Sequence, residues 1–348
     1  MLKKIDLSQA RLQEILTRVK NARICVVGDF CLDRYWHIDL TRSRLSKETP
    51  HFSLPVMEEI CAPGAGGNVV NNIHALGVAR LLPVSVVGKD WRGELLVGWM
   101  QQRGISTERI VTIGKAFTPC YCKPMRKGIS DVVYEDPRLD FENYENLASA
   151  EEAKVLSNLA AAAEEADMIV VSDQYRNGVI TPACRAYLQS LAREKPVIVD
   201  SRERAALYTG VMLKPNEVEV LAASGQASPP SDIAGYAELG AQLSLKNGQP
   251  VIVTLGSQGA IWCEVENQAY APAAHLSGPL DIVGAGDAFL AAFSCAYAAG
   301  IPGSEATAFA NLASAVTVQK IGMTGTASSE EIWAQYRKTE ASNEETGR

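Results

Sequence analysis

The stretch Asp281-Ile282-Val283-Gly284-Ala285-Gly286-Asp287-Ala288-Phe289 places a carboxylate directly behind two glycines. It leads from a turn into an apolar helical pattern, Phe289, Ala292, Phe293 and Ala296. Glycines let a backbone approach a ligand closely, and the N–H groups of an opening helix turn favour an anion there. Asp287 is a misfit among those donors unless it must take a proton from the bound group. A hydroxyl nucleophile beside a phosphate meets that condition, which is the chemistry of a kinase. The plain alternative is a tight loop in which Asp287 caps the helix.

Four further segments have matching chemistry. Pro63-Gly64-Ala65-Gly66-Gly67-Asn68 precedes a helical pattern. Val69 stands where a dinucleotide fingerprint would need glycine. A flat glycine surface remains, with Asn68 as a hydrogen-bonding side chain, or else an ordinary helix entry. Gly28-Asp29 ends a strand pattern and Asp33 follows; carboxylates at such a strand end accept directed hydrogen bonds from sugar hydroxyls, or they serve a turn. Lys214-Pro215-Asn216-Glu217-Val218-Glu219 follows an apolar run. Asn216 reads as an N-cap, and Glu219 either supports that cap or holds a hydrated Mg²⁺ through water. Thr254-Leu255-Gly256-Ser257-Gln258-Gly259 suits a nucleotide phosphate or ribose, and equally a hairpin.

The elements that must position these residues follow from periodicity. Residues 7–20 carry Leu12, Leu16 and Val19 at helical spacing, and Ile24–Val27 is a buried strand. From residue 150 onward, helices (151–165, 182–194, 231–246, 287–299, 304–320) alternate with Val/Ile-rich strands (168–172, 197–200, 251–255). That alternation predicts an α/β fold with a mostly parallel sheet covered on both faces. Two irregular β-like stretches, 34–60 and 116–135, interrupt it and are expected to form a small lid at one edge. The polar tail 339–348 is expected to be unordered. The whole of 1–348 reads as one domain. Net charge is −7, which argues against nucleic acid as a partner. The chain has eight cysteines and four histidines, without ligand spacing. Reduced thiols, the lack of a leader pattern and the lack of a membrane span predict a cytoplasmic protein.

In this order and spacing the motifs resemble the PfkB (ribokinase-like) family of carbohydrate kinases over about residues 22–327. The resemblance implies a three-layer αβα domain with a β lid, using ATP and Mg²⁺, with K⁺ as a further candidate. It makes Asp287 the catalytic base, Gly284, Ala285 and Gly286 the anion hole, and Asp33, Gly66, Gly67 and Asn68 the substrate contacts. Asn216, Thr254, Gly256, Ser257, Gly259 and Asn311 would lie along the nucleotide. Glu219 would stand near Mg²⁺, and Asp281 with Val283 at a monovalent cation.

Within the family, Leu32-Asp33-Arg34-Tyr35-Trp36 and Ser43-Arg44-Leu45-Ser46-Lys47-Glu48-Thr49-Pro50 are similar to the branch that phosphorylates D-glycero-D-manno-heptose 7-phosphate. The chain departs from that branch at Gln174-Tyr175-Arg176-Asn177-Gly178 and at Asp200-Ser201-Arg202. Another sugar or nucleoside kinase, or a binding protein without turnover, are the competing readings. Basic residues of the lid, Arg34, Arg42, Arg44 and Lys47 in one segment and Lys123, Arg126 and Lys127 in the other, predict an acceptor that is already phosphorylated. Arg44 and Lys123 are the candidate phosphate contacts. Strand edges on the lid predict a homodimer.

Overall fold

The computed structural model of this chain describes residues 2–130, 132–322 and 324–346. In chain order its strands are β1 (Lys3–Lys4), β2 (Arg23–Gly28), β3 (Phe30–Asp39), β4 (Val56–Ala65), β5 (Arg80–Gly88), β6 (Ile110–Ile113), β7 (Cys120–Lys127), β8 (Val133–Glu135), β9 (Leu139–Phe141), β10 (Met168–Asp173), β11 (Val197–Ser201), β12 (Met212–Leu213), β13 (Val251–Thr254), β14 (Ala260–Cys263) and β15 (Gln268–Ala271). Its helices are α1 (Gln9–Arg18), α2 (Gly66–Ala75), α3 (Trp91–Gln102), α4 (Ser149–Glu165), α5 (Pro182–Leu191), α6 (Glu217–Ser224), α7 (Ile233–Asn247), α8 (Ala285–Ala298), α9 (Gly303–Thr317) and α10 (Ser329–Thr346).

The large sheet runs β1-β15-β14-β13-β12-β11-β10-β2-β5-β6. It is parallel from β13 to β6, while β14 is antiparallel to both its neighbours. Its central strands show why their sequences carry unbroken apolar runs. Ile24, Val26, Met168, Val170 and Ile198 enter one core with α1, α2, α8 and α9. The alternate residues Cys25, Val27, Ile169, Val171 and Val199 enter the other with α4, α5 and α7. Each fully buried Val or Ile stabilises by about 1.5–3 kcal/mol relative to exposure, so a charge at Val170 or Val171 would unfold a whole face.

The small sheet has order β4-β3-β7-β8, with β9 also on β7. It does not spring from an edge strand of the large sheet. It grows from the end of β2, which lies between β10 and β5. Only Asp29 separates β2 from β3, and its N–H bonds to Ser172 O at 2.9 Å. Gly28 permits this turn: its φ is 143°, and a Cβ there would stand 2.0 Å from Ser172 O.

Several expectations shift. Pro63, Gly64 and Ala65 belong to β4, which runs straight into α2. β9 lies beyond the expected lid limit at 135, and the short β1 and β15 were not foreseen. α10 runs from Ser329 to Thr346 and so enters the expected tail, with Ile332 and Tyr336 of its first half seated in the core. Residues 347 and 348 lie outside the described residues. Among those described, no helix is long and apolar enough to cross a membrane.

Candidate active site

Gly284 caps α8 in a left-handed conformation, φ 79°. A Cβ there would be 2.7 Å from the Asn68 side-chain nitrogen, so glycine is required for both conformation and space. The Ala285 N–H closes a turn on Ile282 O at 3.2 Å, and Ala288 N–H bonds to Gly284 O at 3.0 Å. Of the expected anion hole, Ala285 N–H is therefore spent internally. Among the described residues, Gly284, Gly286 and Asp287 N–H have no protein acceptor. They are the unpaired donors of a helix start, where negative charge is favoured.

Asp287 is half-buried and lines the cavity described below. Burial pushes its carboxyl up to about 7, and Asp200 and Asp33 push the same way, while Asn68 and Lys214 oppose them. Asn68 Nδ2 donates to Asp287 Oδ2 at 2.8 Å. Asn72 Nδ2 donates to Asn68 Oδ1 at 3.1 Å, one turn along α2, and so fixes which face of the Asn68 amide meets the carboxylate. A carboxylate that titrates near neutrality beside unpaired N–H donors can accept a proton while an anion is held next to it.

On the substrate side, Asp33 lies buried on β3 with Lys123 Nζ 3.3 Å from its Oδ1. The same ammonium donates to Tyr35 OH at 3.1 Å. Lys123 is thus a partner of Asp33 before it is a phosphate ligand. Gly64 faces Asp33, and a Cβ there would stand 3.0 Å from Asp33 Oδ2. Gly66 and Gly67 form the first turn of α2 ahead of Asn68.

Asp29, read from the sequence as a sugar contact, has another occupation. It accepts from Gln174, Tyr175 and Val179 N–H at 2.7–2.8 Å and pins the loop after β10. Arg44 is exposed on the β3–β4 connection. Arg34 pairs with Glu59, Arg42 with Asp39 and Arg126 with Asp136, so most of the lid's positive charge is neutralised in place.

On the other side of Asp287 opens a cavity of about 680 Å³. Asn216, Glu219, Thr254, Gly256, Ser257, Gly259 and Asn311 all line it, so the structure brings these residues together. Leu280, Ile282, Phe289 and Val318 give it an apolar wall suited to a flat base. Asn216 and Glu219 form a reciprocal capping box, with Glu219 Oε2 on Asn216 N–H at 2.9 Å. The cap occupies one carboxylate oxygen, and Oε1 has no partner among the described residues. The Asn311 amide donates to Ala271 O at 2.7 Å, which steadies the cavity rim. Asp281 ties its loop down through Val283 N–H at 3.0 Å and Gly322 N–H at 2.9 Å. Val283 O receives no donor among the described residues.

Sequence reasoning missed Lys214 and Asp200. They are buried at the ends of β12 and β11, with Lys214 Nζ 3.1 Å from Asp200 Oδ2. A Cβ on Gly286 would lie 3.8 Å from Lys214 Nζ, which sets this ammonium next to the free N–H donors. The available signal was a lone charge closing each apolar strand run, since such charges are buried only with a partner.

The family profile described as pfkB family carbohydrate kinase matches residues 22–330. A protein of Citrifermentans bemidjiense named bifunctional protein HldE is 30% identical over 334 residues, covering 94% of this chain and 66% of the relative. Its namesake from Mesorhizobium japonicum is 31% identical, covering 92% of this chain and 64% of the relative. The chain thus spans slightly under two thirds of these curated relatives. Among solved structures, phosphofructokinase-2 from Escherichia coli in complex with potassium superposes with a TM-score of 0.73 at 20% identity, covering 92% of this chain and 99% of that one. Ribokinase from Arabidopsis thaliana complexed with ribose and ATP gives 0.68 at 20% identity, covering 90% and 98%. The fold is ribokinase-like, and the chain belongs to the pfkB family of carbohydrate kinases.

Proposed function

We propose that this kinase transfers the γ-phosphoryl of ATP to a hydroxyl of a sugar phosphate such as D-glycero-β-D-manno-heptose 7-phosphate. The observation that carries the reading is the placement of Asp287 between the unpaired α8 donors and the Asn68 amide 2.8 Å away. The heptose-branch segments at 32–36 and 43–50 and the relatives named HldE support the acceptor.

In this mechanism the sugar rests on Gly66, Gly67 and Asn68 with hydroxyls on Asp33, and ATP lies in the cavity along Asn216, Thr254 and Gly256. Asp287 takes the hydroxyl proton, a role worth about 10²–10⁴ in rate. Gly286 and Asp287 N–H and the Lys214 ammonium stabilise charge on the group in transfer. Closure of the small sheet as a lid over the sugar excludes water. Glu219 Oε1 suits a water ligand of Mg²⁺, which when bound neutralises phosphate charge. Asp281 and the Val283 carbonyl supply oxygens suited to K⁺, the ion named for the potassium complex. Free thiols at all eight cysteines support a cytoplasmic setting.

The direct test is ATP consumption with heptose 7-phosphate, fructose 6-phosphate and their unphosphorylated counterparts. We expect the phosphorylated acceptors to be preferred. Efficient turnover of a free sugar with no such preference overturns the acceptor assignment and leaves the kinase standing.

The small sheet also supports a homodimer. Its outer strands β4 and β8 leave backbone groups unpaired, and Phe52, Leu54, Val56, Met57, Val133 and Tyr134 are exposed nearby. Sedimentation at micromolar concentration should give a dimer, which Val56→Asp dissociates. A wild-type monomer at that concentration refutes it.

A further inference from the structure

We propose that Arg138 and Arg202, which converge on Tyr121 beside Asp33, bind the phosphate that the acceptor already carries. The proposal rests on the sugar-phosphate reading above and names the side chains that would enforce it. Strand register places the parts. Asp33 on β3 pairs with Tyr121 on β7, and Tyr121 pairs with Asp140 on β9. Paired residues share a face of a sheet, and so do residues two apart. Asp33, Tyr121, Lys123, Arg138 and Asp140 therefore lie on one face, and the ion pair between Lys123 and Asp33 agrees with that.

On this face the Arg138 guanidinium stacks 4.0 Å from the centre of the Tyr121 ring. Asp140 holds its Nε and Nη2 at 2.6 and 2.7 Å, which orients the plane and leaves the Nη1 edge for a ligand. Arg202 arrives from the large sheet, just past β11. Its Nη1 donates to Tyr121 OH at 3.5 Å, and its backbone N–H is fixed by Asp173 O at 3.2 Å. Arg202 is exposed and has no carboxylate in ion-pair contact among the described residues. Tyr121 in turn packs on Tyr175, with ring centroids 5.9 Å apart.

Most other basic groups of the lid segments are paired elsewhere. Arg34 points to the opposite face, paired with Glu59 and lying over Trp36 and Trp91. Among the described residues Asp140 is the one ion-pair partner of these two guanidiniums, with Glu142 a further carboxylate acting on Tyr121, and the result is a surface with two guanidinium edges beside Asp33. A free sugar gains nothing from it, whereas a phosphate receives planar, charge-assisted donors from two directions. An acceptor with its reacting hydroxyl at Asp287 and its middle hydroxyls at Asp33 would direct its far end to this pair. Because Arg202 follows β11 of the large sheet and Arg138 precedes β9 of the small one, a phosphate bridging them also ties the two sheets together over the sugar.

The test compares Arg202→Ala, Arg138→Ala and the two lysine replacements with sugar phosphate, free sugar and ATP as varied substrates. Each alanine variant should raise KM and Kd for the sugar phosphate about tenfold or more. The KM for ATP and the weak turnover of free sugar should not move, and lysine should restore part of the loss. Arg202 is exposed, so its alanine variant carries the test even if Arg138→Ala disturbs β9. A wild-type preference for phosphorylated acceptors that both alanine variants retain overturns this proposal and leaves the sugar-phosphate reading intact. No preference in the wild type removes that reading, and this proposal with it.

Discussion

Asp287→Asn is expected to lower kcat by about two orders of magnitude or more while leaving ATP binding at least as tight. Asparagine keeps the size of the side chain and can still accept from Asn68 Nδ2, now 2.8 Å from the carboxylate. It removes only the proton acceptor and a negative charge beside the phosphate site. In the wild-type enzyme, kcat/KM should fall about tenfold per pH unit below about 7, where Asp287 becomes protonated. Stability gives a second and independent reading. Burial raises this carboxyl from the usual value near 4 to about 7. Between those values the native state binds the proton more strongly, so this residue makes stability fall as pH rises through the window. Asp287→Asn should therefore match wild type in Tm below about pH 4 and exceed it by a few degrees at pH 8. Near wild-type kcat removes Asp287 from the chemistry. An unchanged Tm difference across that pH range removes the buried-charge account.

The two halves of the site were not equally legible in the sequence. Asp281 to Phe289 was readable because glycine pairs and a carboxylate within nine residues have few structural uses. The large sheet was readable because β2, β10 and β11 carry unbroken apolar runs, Ile24–Val27, Met168–Val171 and Val197–Val199, as strands covered on both faces do. The lid was harder. Its charges are ordinary in composition, and nothing local to Arg34 reveals that Glu59, twenty-five residues away, neutralises it. Asp29 and Asp33 look alike in one dimension, yet one pins the 174–179 loop and the other faces the cleft. That difference comes from Gly178, which passes so close to Asp29 that a Cβ would touch its carboxylate at 2.1 Å. Contacts between distant segments decided each of these roles, and periodicity carries no record of them.

Lys214→Met is expected to damage the enzyme in two separable ways. Lys214 and Asp200 are 4% and 8% exposed, so removing the ammonium strands a buried carboxylate. Breaking such a pair from one side costs about 3–5 kcal/mol of stability. Removing a cation from beside the free donors of α8 should also lower kcat about 10²–10³-fold, the scale seen when a preorganised donor is lost. The double variant Lys214→Met with Asp200→Asn separates the effects. With no orphaned charge left, most of the stability should return, while kcat stays low because nothing replaces the ammonium near Gly286. Asp200→Asn alone keeps that ammonium and should retain more turnover than either variant lacking Lys214. Urea denaturation and steady-state kinetics on the three proteins measure both quantities. If the double variant recovers turnover along with stability, Lys214 only offsets Asp200 and takes no part in phosphoryl transfer. If all three share one low kcat, the carboxylate is required as much as the ammonium, and the pair acts on the phosphates as a unit.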